Sequence, residues 1–159
     1  MLEEKQVKIL MRMHELEQSL AEMYALFAEK FPGHRELWQR LVAEEQEHAE
    51  AVQKFYRLTY ERGASFSGEA IRIGAIEAII EYVKKNCEIA GRDLLTESQA
   101  LGISRDIEKS LIAKDIFKHF KVRLDFANLL RYLRESSEDH ARLVEEAMKR
   151  GAKPAEHSR

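Results

Sequence analysis

Apolar residues recur three and four positions apart along most of the chain, the spacing of helices that bury one stripe. Over residues 2–31 that stripe is Leu10, Met13, Glu17, Leu20, Tyr24, Phe27 and Phe31, and Pro32-Gly33 stops it. A second run, 35–62, carries Trp38, Leu41, Glu45, His48, Val52, Phe55 and Thr59, with Gly63 suited to the left-handed turn after it. A short polar loop, 64–68, leads to a third run, 69–90, whose Ile71, Ile73, Ile76, Ile79, Ile80 and Val83 lie mainly on one face. Thr96 and Gln99 have capping-box spacing and open a fourth helix, expected to reach 122. A fifth is expected over 125–151, closed by Gly151 with Pro154 just beyond, and the small polar residues 152–159 read as a disordered tail. Helices of roughly thirty residues extend about 40 Å, so the expectation is an all-α domain over 1–151 with the dimensions of a long bundle.

The stripe of the second helix is interrupted where hydrocarbon is expected. Glu45 and His48 share one helical face, and burying both without compensation costs several kcal/mol. A metal ion compensates them with little strain; a rim position or a hydrogen-bonded pair is the plainer account.

An internal repeat favours the metal. At an offset of 91, Glu17-Gln18-Ser19-Leu20 meets Glu108-Lys109-Ser110-Leu111; at 92, Leu37, Leu41, His48, Ala49 and Val52 meet Leu129, Leu133, His140, Ala141 and Val144. Two helical hairpins joined by a crossover helix, 69–90, would form a four-helix bundle with Glu17, Glu108, His48 and His140 at its centre. One Glu from each of two helices and a Glu-x-x-His from each of the other two is the arrangement that holds two iron or manganese ions. Carboxylates bridge hard cations, and each imidazole adds one neutral terminal ligand. The second copy departs from the pattern, because Ser137 stands where Glu45 stands in the first and Glu138 lies about 100° round the helix from it. One anion short, the set is compatible with a weakened two-metal site, a one-metal site, or a relic held by ion pairs.

Composition narrows the alternatives. With 45% apolar and 34% charged residues, seven Gly and two Pro, the chain describes long solvated helices. A net charge of −2 with interleaved signs offers no stripe for nucleic acid and no polybasic patch for a membrane. The single cysteine, Cys87, excludes an intrachain disulfide framework and a Cys-x-x-Cys metal knuckle. The charged start and the lack of a long apolar stretch argue against a signal peptide or membrane span, so a cytoplasmic location is expected.

Glu17 with Tyr24 seven later, Glu45-Gln46-Glu47-His48-Ala49, Glu108, and Ser137-Glu138-Asp139-His140-Ala141 together resemble the rubrerythrin-like branch of the ferritin-like superfamily, over about residues 2–150. The resemblance implies a ferritin-like bundle with a non-haem di-iron site, reducing peroxide or oxidising ferrous iron, with dioxygen as a further small substrate. It assigns Glu17, Glu45, His48, Glu108 and His140 as metal ligands and Tyr24 as a catalytic neighbour of the metals. Iron is the implied cofactor, with a single ion, manganese or zinc as alternatives. Asp115 stands where the second half would show a partner for Tyr24, and the cysteines of a rubredoxin-like domain are absent, so a separate electron donor is expected. A second expectation, from a different class, is a decayed bundle acting as a structural or interaction protein, a homodimer through its crossover helix; iron storage is a third. Among the remaining candidates, His14 reads as a partly exposed neighbour of Glu17, and Asp115 with His119 as a surface pair one turn apart. His34 falls in a turn, His157 in the tail, and Cys87 reads as an inert thiol. Of the acidic run 44–47, only Glu45 is expected to point inward.

Overall fold

A computed structural model of the protein describes residues 3–61 and 64–151. Glu3 opens helix α1 (Glu4–Lys30), its backbone N–H donating to Gln6 Oε1 at 2.9 Å. Pro32 cannot continue that helix, and a single 3₁₀ turn, Pro32–His34, leads into α2 (Arg35–Tyr60). The expected stripes are buried from Leu10 to Phe31 and from Trp38 to Phe55. At the end of α2 the buried position is Leu58, while Thr59, expected inside, turns its hydroxyl to the Tyr56 carbonyl at 2.7 Å. Gly63 as the stop of α2, His157 and the tail 152–159 lie outside the described residues.

The segment expected as a polar loop holds a short strand, β1 (Ala64–Phe66), and a 3₁₀ turn precedes α3 (Ile73–Gly91). Helix α3 lies along α1, burying Ile76, Ile79, Ile80 and Val83, and ion pairs from Arg12 to Glu77 and from Lys84 to Glu15 fasten its outer edge. Thr96 then caps α4 (Glu97–Lys114) with the expected reciprocal pair: Gln99 N–H donates to Thr96 Oγ1 at 3.2 Å and Thr96 N–H to Gln99 Oε1 at 2.9 Å.

The fourth helix does not reach 122. It stops at Lys114 because Asp115 takes a left-handed conformation, φ 32°, which a short polar side chain tolerates, and Arg134 holds its carboxylate at 3.0 Å. A 3₁₀ turn (Ile116–His119) and strand β2 (Phe120–Val122) follow, and β2 pairs antiparallel with β1, Phe66 opposite Phe120. The rings of Phe66 and Phe120 stack at 4.4 Å, and Phe55 meets Phe120 edge-on at 5.3 Å. With the helix broken at Asp115, the expected one-turn pair of Asp115 and His119 does not form; Asp115 pairs with Arg134 instead. Helix α5 (Ala127–Arg150) ends at Gly151, whose φ of 71° is the conformation that favours glycine there.

The architecture is all-α, five helices among the described residues plus one small ribbon. Helix α1 packs on α2 and α4 on α5, with α2 also meeting α5. No helix is long and apolar enough to cross a membrane.

Candidate metal centre

The polar interruptions of four helical stripes meet in one place. Glu17 from α1, Glu45 and His48 from α2, Glu108 from α4 and His140 from α5 are all buried, four of them at 3% exposure or less. Glu45 lies in the middle. Its Oε2 is 2.9 Å from His48 Nδ1 and its Oε1 is 3.0 Å from His140 Nδ1. Each imidazole also faces one outer carboxylate: His48 Nδ1 is 3.7 Å from Glu17 Oε2, and His140 Nδ1 is 3.4 Å from Glu108 Oε1. The two rings stack with centroids 5.1 Å apart. The repeat is thus visible as geometry, two outer glutamates and two histidines arranged about one shared carboxylate.

Tyr24 is buried beside this set. Its hydroxyl donates to Glu108 Oε1 at 2.8 Å, and its ring stacks on Trp38 with centroids 6.0 Å apart. In the second half the matching residue is Asp115, which ends α4 and turns to Arg134, so the site has one tyrosine of this kind.

Two contacts were not legible from the stripes. Glu44, a half-buried neighbour of the seam, accepts from His140 Nε2 at 2.8 Å, although only Glu45 of its acidic run is expected inward. Tyr132 sets its ring edge-on to His48 at 5.1 Å and donates its hydroxyl to Glu47 Oε2 at 3.1 Å. Sequence spacing carries no signal for Glu44, whose partner is 96 residues away. By contrast His14 is partly exposed on α1, and Arg105, one turn before Glu108, pairs with Asp106 at the surface. The thiol of Cys87, half-buried, is raised by burial and by Glu22, the condition of an unreactive cysteine.

Charges in the cluster are strongly displaced from their ordinary values. Burial alone would raise Glu45, but the close imidazoles of His140 and His48 outweigh it and hold this carboxyl far below the usual range. Burial works against charge on the imidazoles too, yet Glu17 and Glu45 carry His48 up to about 10, and Glu108 and Glu45 carry His140 up to about 11. Glu17 is pushed up to about 8, first by burial and then by the charge of Glu45. Glu108 is raised for the same two reasons, against the pull of His140. With carboxylates at both ring nitrogens, His140 carries both protons, and its Nδ1 is the nitrogen that a cation would take while Nε2–H stays on Glu44.

The residues fit a metal ion. Glu45, His48 and His140 offer donor atoms that all lie within 4.8 Å of one another. Glu108 Oε2 is buried without a hydrogen-bond partner among the described residues, and Glu45 Oε1 receives no well-directed hydrogen bond despite the nearby His140. Buried carboxylate oxygens are seldom left so. The set is two nitrogens and hard oxygens, with no sulfur, which suits iron, manganese or zinc. Ser137 adds no charge here, and Glu138 stays exposed. A cavity of about 590 Å³ opens beside Glu17, Glu45 and His48 and is lined in part by Ser137. No protein-family model matches this chain, and comparison with curated proteins and with solved structures gives no match.

Proposed function

We propose that this protein is a ferritin-like, rubrerythrin-like bundle of two helical hairpins, α1–α2 and α4–α5, joined by α3 as crossover, and that it binds two iron ions. The observation that carries this is the position of Glu45, which touches both imidazoles while each imidazole has an outer glutamate of its own. One ion would be held by Glu17, Glu45 and His48, and the other by Glu45, Glu108 and His140. Ions so held supply electron transfer to peroxide or dioxygen, which gives a peroxidase or ferroxidase reading, with ferrous iron as substrate in the latter.

The chain's own residues have definite parts in that reading. Glu44 fixes the ring of His140 through Nε2 and so selects Nδ1 as the ligating nitrogen. Tyr24 holds Glu108 through one oxygen and leaves the other free to ligate. Small substrates reach Glu17, Glu45 and His48 from the cavity, and reducing equivalents come from a separate donor.

Anaerobic titration with ferrous iron, followed by peroxide, tests the proposal. We expect close to two ions per chain and a ferric absorption on peroxide addition, both diminished in Glu45→Ala. Failure to take up iron, manganese or zinc would end this reading.

A second reading has its own support, because the ion pairs of Glu45 with His48 and His140 already match charge within the cluster. In that reading the bundle is a structural or interaction protein, a homodimer through α3. A chelator separates the two: a metal-held bundle melts at lower temperature when stripped, and a self-paired one does not respond.

A further inference from the structure

The cavity beside the cluster is much larger than peroxide or dioxygen requires. At about 590 Å³ it falls within the roughly 300–1,000 Å³ of sites that enclose small organic ligands. Its walls are about half apolar, with Leu16, Leu111, Ile116, Phe117 and Leu130 on that part. At its inner end lie Glu17, Glu45 and His48, and Ser137 also lines it, at the position where the internal repeat calls for a fourth carboxylate. The space left by a short hydroxyl in place of a glutamate side chain is therefore continuous with a pocket that has one apolar wall.

From this we infer that the cavity binds an amphipathic monocarboxylate, its apolar chain along the leucine-lined wall and its carboxylate at the place of the missing glutamate. The inference rests on the metal-binding reading, since the head group ligates the ion held by Glu17, Glu45 and His48. Charge elsewhere on the lining does not attract the ligand, because Arg131 and Arg134 there are outnumbered by Asp115, Glu135 and Glu138. Selection lies at the inner end. Three carboxylates and two neutral imidazoles leave two divalent cations one anion short of charge balance, and an exogenous carboxylate supplies it. An alcohol of the same chain length fills the same walls without supplying the anion.

Cobalt(II) and octanoate make a direct test on the full chain. Elemental analysis first reports cobalt per chain, and the visible ligand-field bands then report changes in coordination. Octanoate is expected to shift those bands with saturation, whereas octanol leaves them in place. Ser137→Glu is expected to bind cobalt and to lose the octanoate shift, its own carboxylate having taken the position. Leu130→Trp, which narrows the cavity without touching a ligand, should weaken the octanoate response at least about tenfold with cobalt binding kept, a loss of about 1.4 kcal/mol. If cobalt binds and octanoate changes nothing, the inference is overturned and the metal reading stands. If neither cobalt nor iron, manganese or zinc binds, both fall; an equal response to octanol and octanoate also overturns the inference.

Discussion

At the scale of single residues, Glu45 separates two contributions that the cluster otherwise mixes. Its carboxylate is 1% exposed and lies against two imidazoles, so removing it leaves two buried positive charges facing two glutamates that burial has made reluctant to ionise. Breaking one side of a buried ion pair costs about 3–5 kcal/mol. Glu45→Ala is therefore expected to lower the unfolding free energy by about 3 kcal/mol in urea even in chelator-treated protein. A loss below about 1 kcal/mol would mean that the pairs contribute little and that the cluster is held by its helices alone. Tyr24→Phe is milder. The ring keeps its stack on Trp38 and only the hydrogen bond to Glu108 is lost, so a decrease of about 1–2 kcal/mol is expected from the same measurement.

At the scale of elements, the break at Asp115 decides where the second hairpin bends. The left-handed backbone there, φ 32°, is strained for most side chains, while the ion pair with Arg134 is half exposed and worth about 0–1 kcal/mol. Backbone should therefore outweigh charge. Asp115→Gly is expected to stay within about 1 kcal/mol of the parent, whereas Asp115→Val, β-branched and ill suited to this conformation, should lose about 2 kcal/mol. Equal damage from both would assign the position to Arg134 instead. The same residue shows where sequence reading fails. Ile112, Ile116, Phe117 and Phe120 continue a plausible helical stripe past Lys114, so periodicity alone extends α4 to 122. What overrides it is tertiary: Phe120 stacks on Phe66, a residue 54 positions earlier in a segment that looks like loop. The buried polar cluster was legible for the opposite reason. Glu17, Glu45, His48, Glu108 and His140 sit in the buried stripe itself, where a polar residue violates the pattern and so announces itself, whereas Glu44, one residue off the stripe, violates nothing.

For the molecule as a whole, the metal-binding reading sets protons and a cation in competition for one set of atoms. Glu17 rises from an ordinary 4.5 to about 8, and the histidines from 6.5 to about 10 and about 11. Each is raised on folding, so each contributes stability that is complete below its ordinary value and lost as pH climbs through the folded one. Glu45 is lowered, so its contribution is present above 4.5 and lost on acidification. The stripped protein is thus expected to be most stable at about pH 4.5 and to melt at progressively lower temperature from there to about pH 9, through Glu17 first and the histidines above about pH 6.5. A bound cation reverses the slope, because it needs Glu17 ionised and both Nδ1 atoms free of protons, so its hold strengthens as pH rises. Metal-loaded protein should therefore melt at a constant or rising temperature over the same range. Metal uptake near about pH 7 should also release protons to a weakly buffered solution. Melting curves at several pH values, with and without chelator, measure the first effect and a pH indicator the second. Parallel pH profiles for stripped and loaded protein, with no protons released, would show that the cation binds somewhere other than Glu17, Glu45, His48, Glu108 and His140.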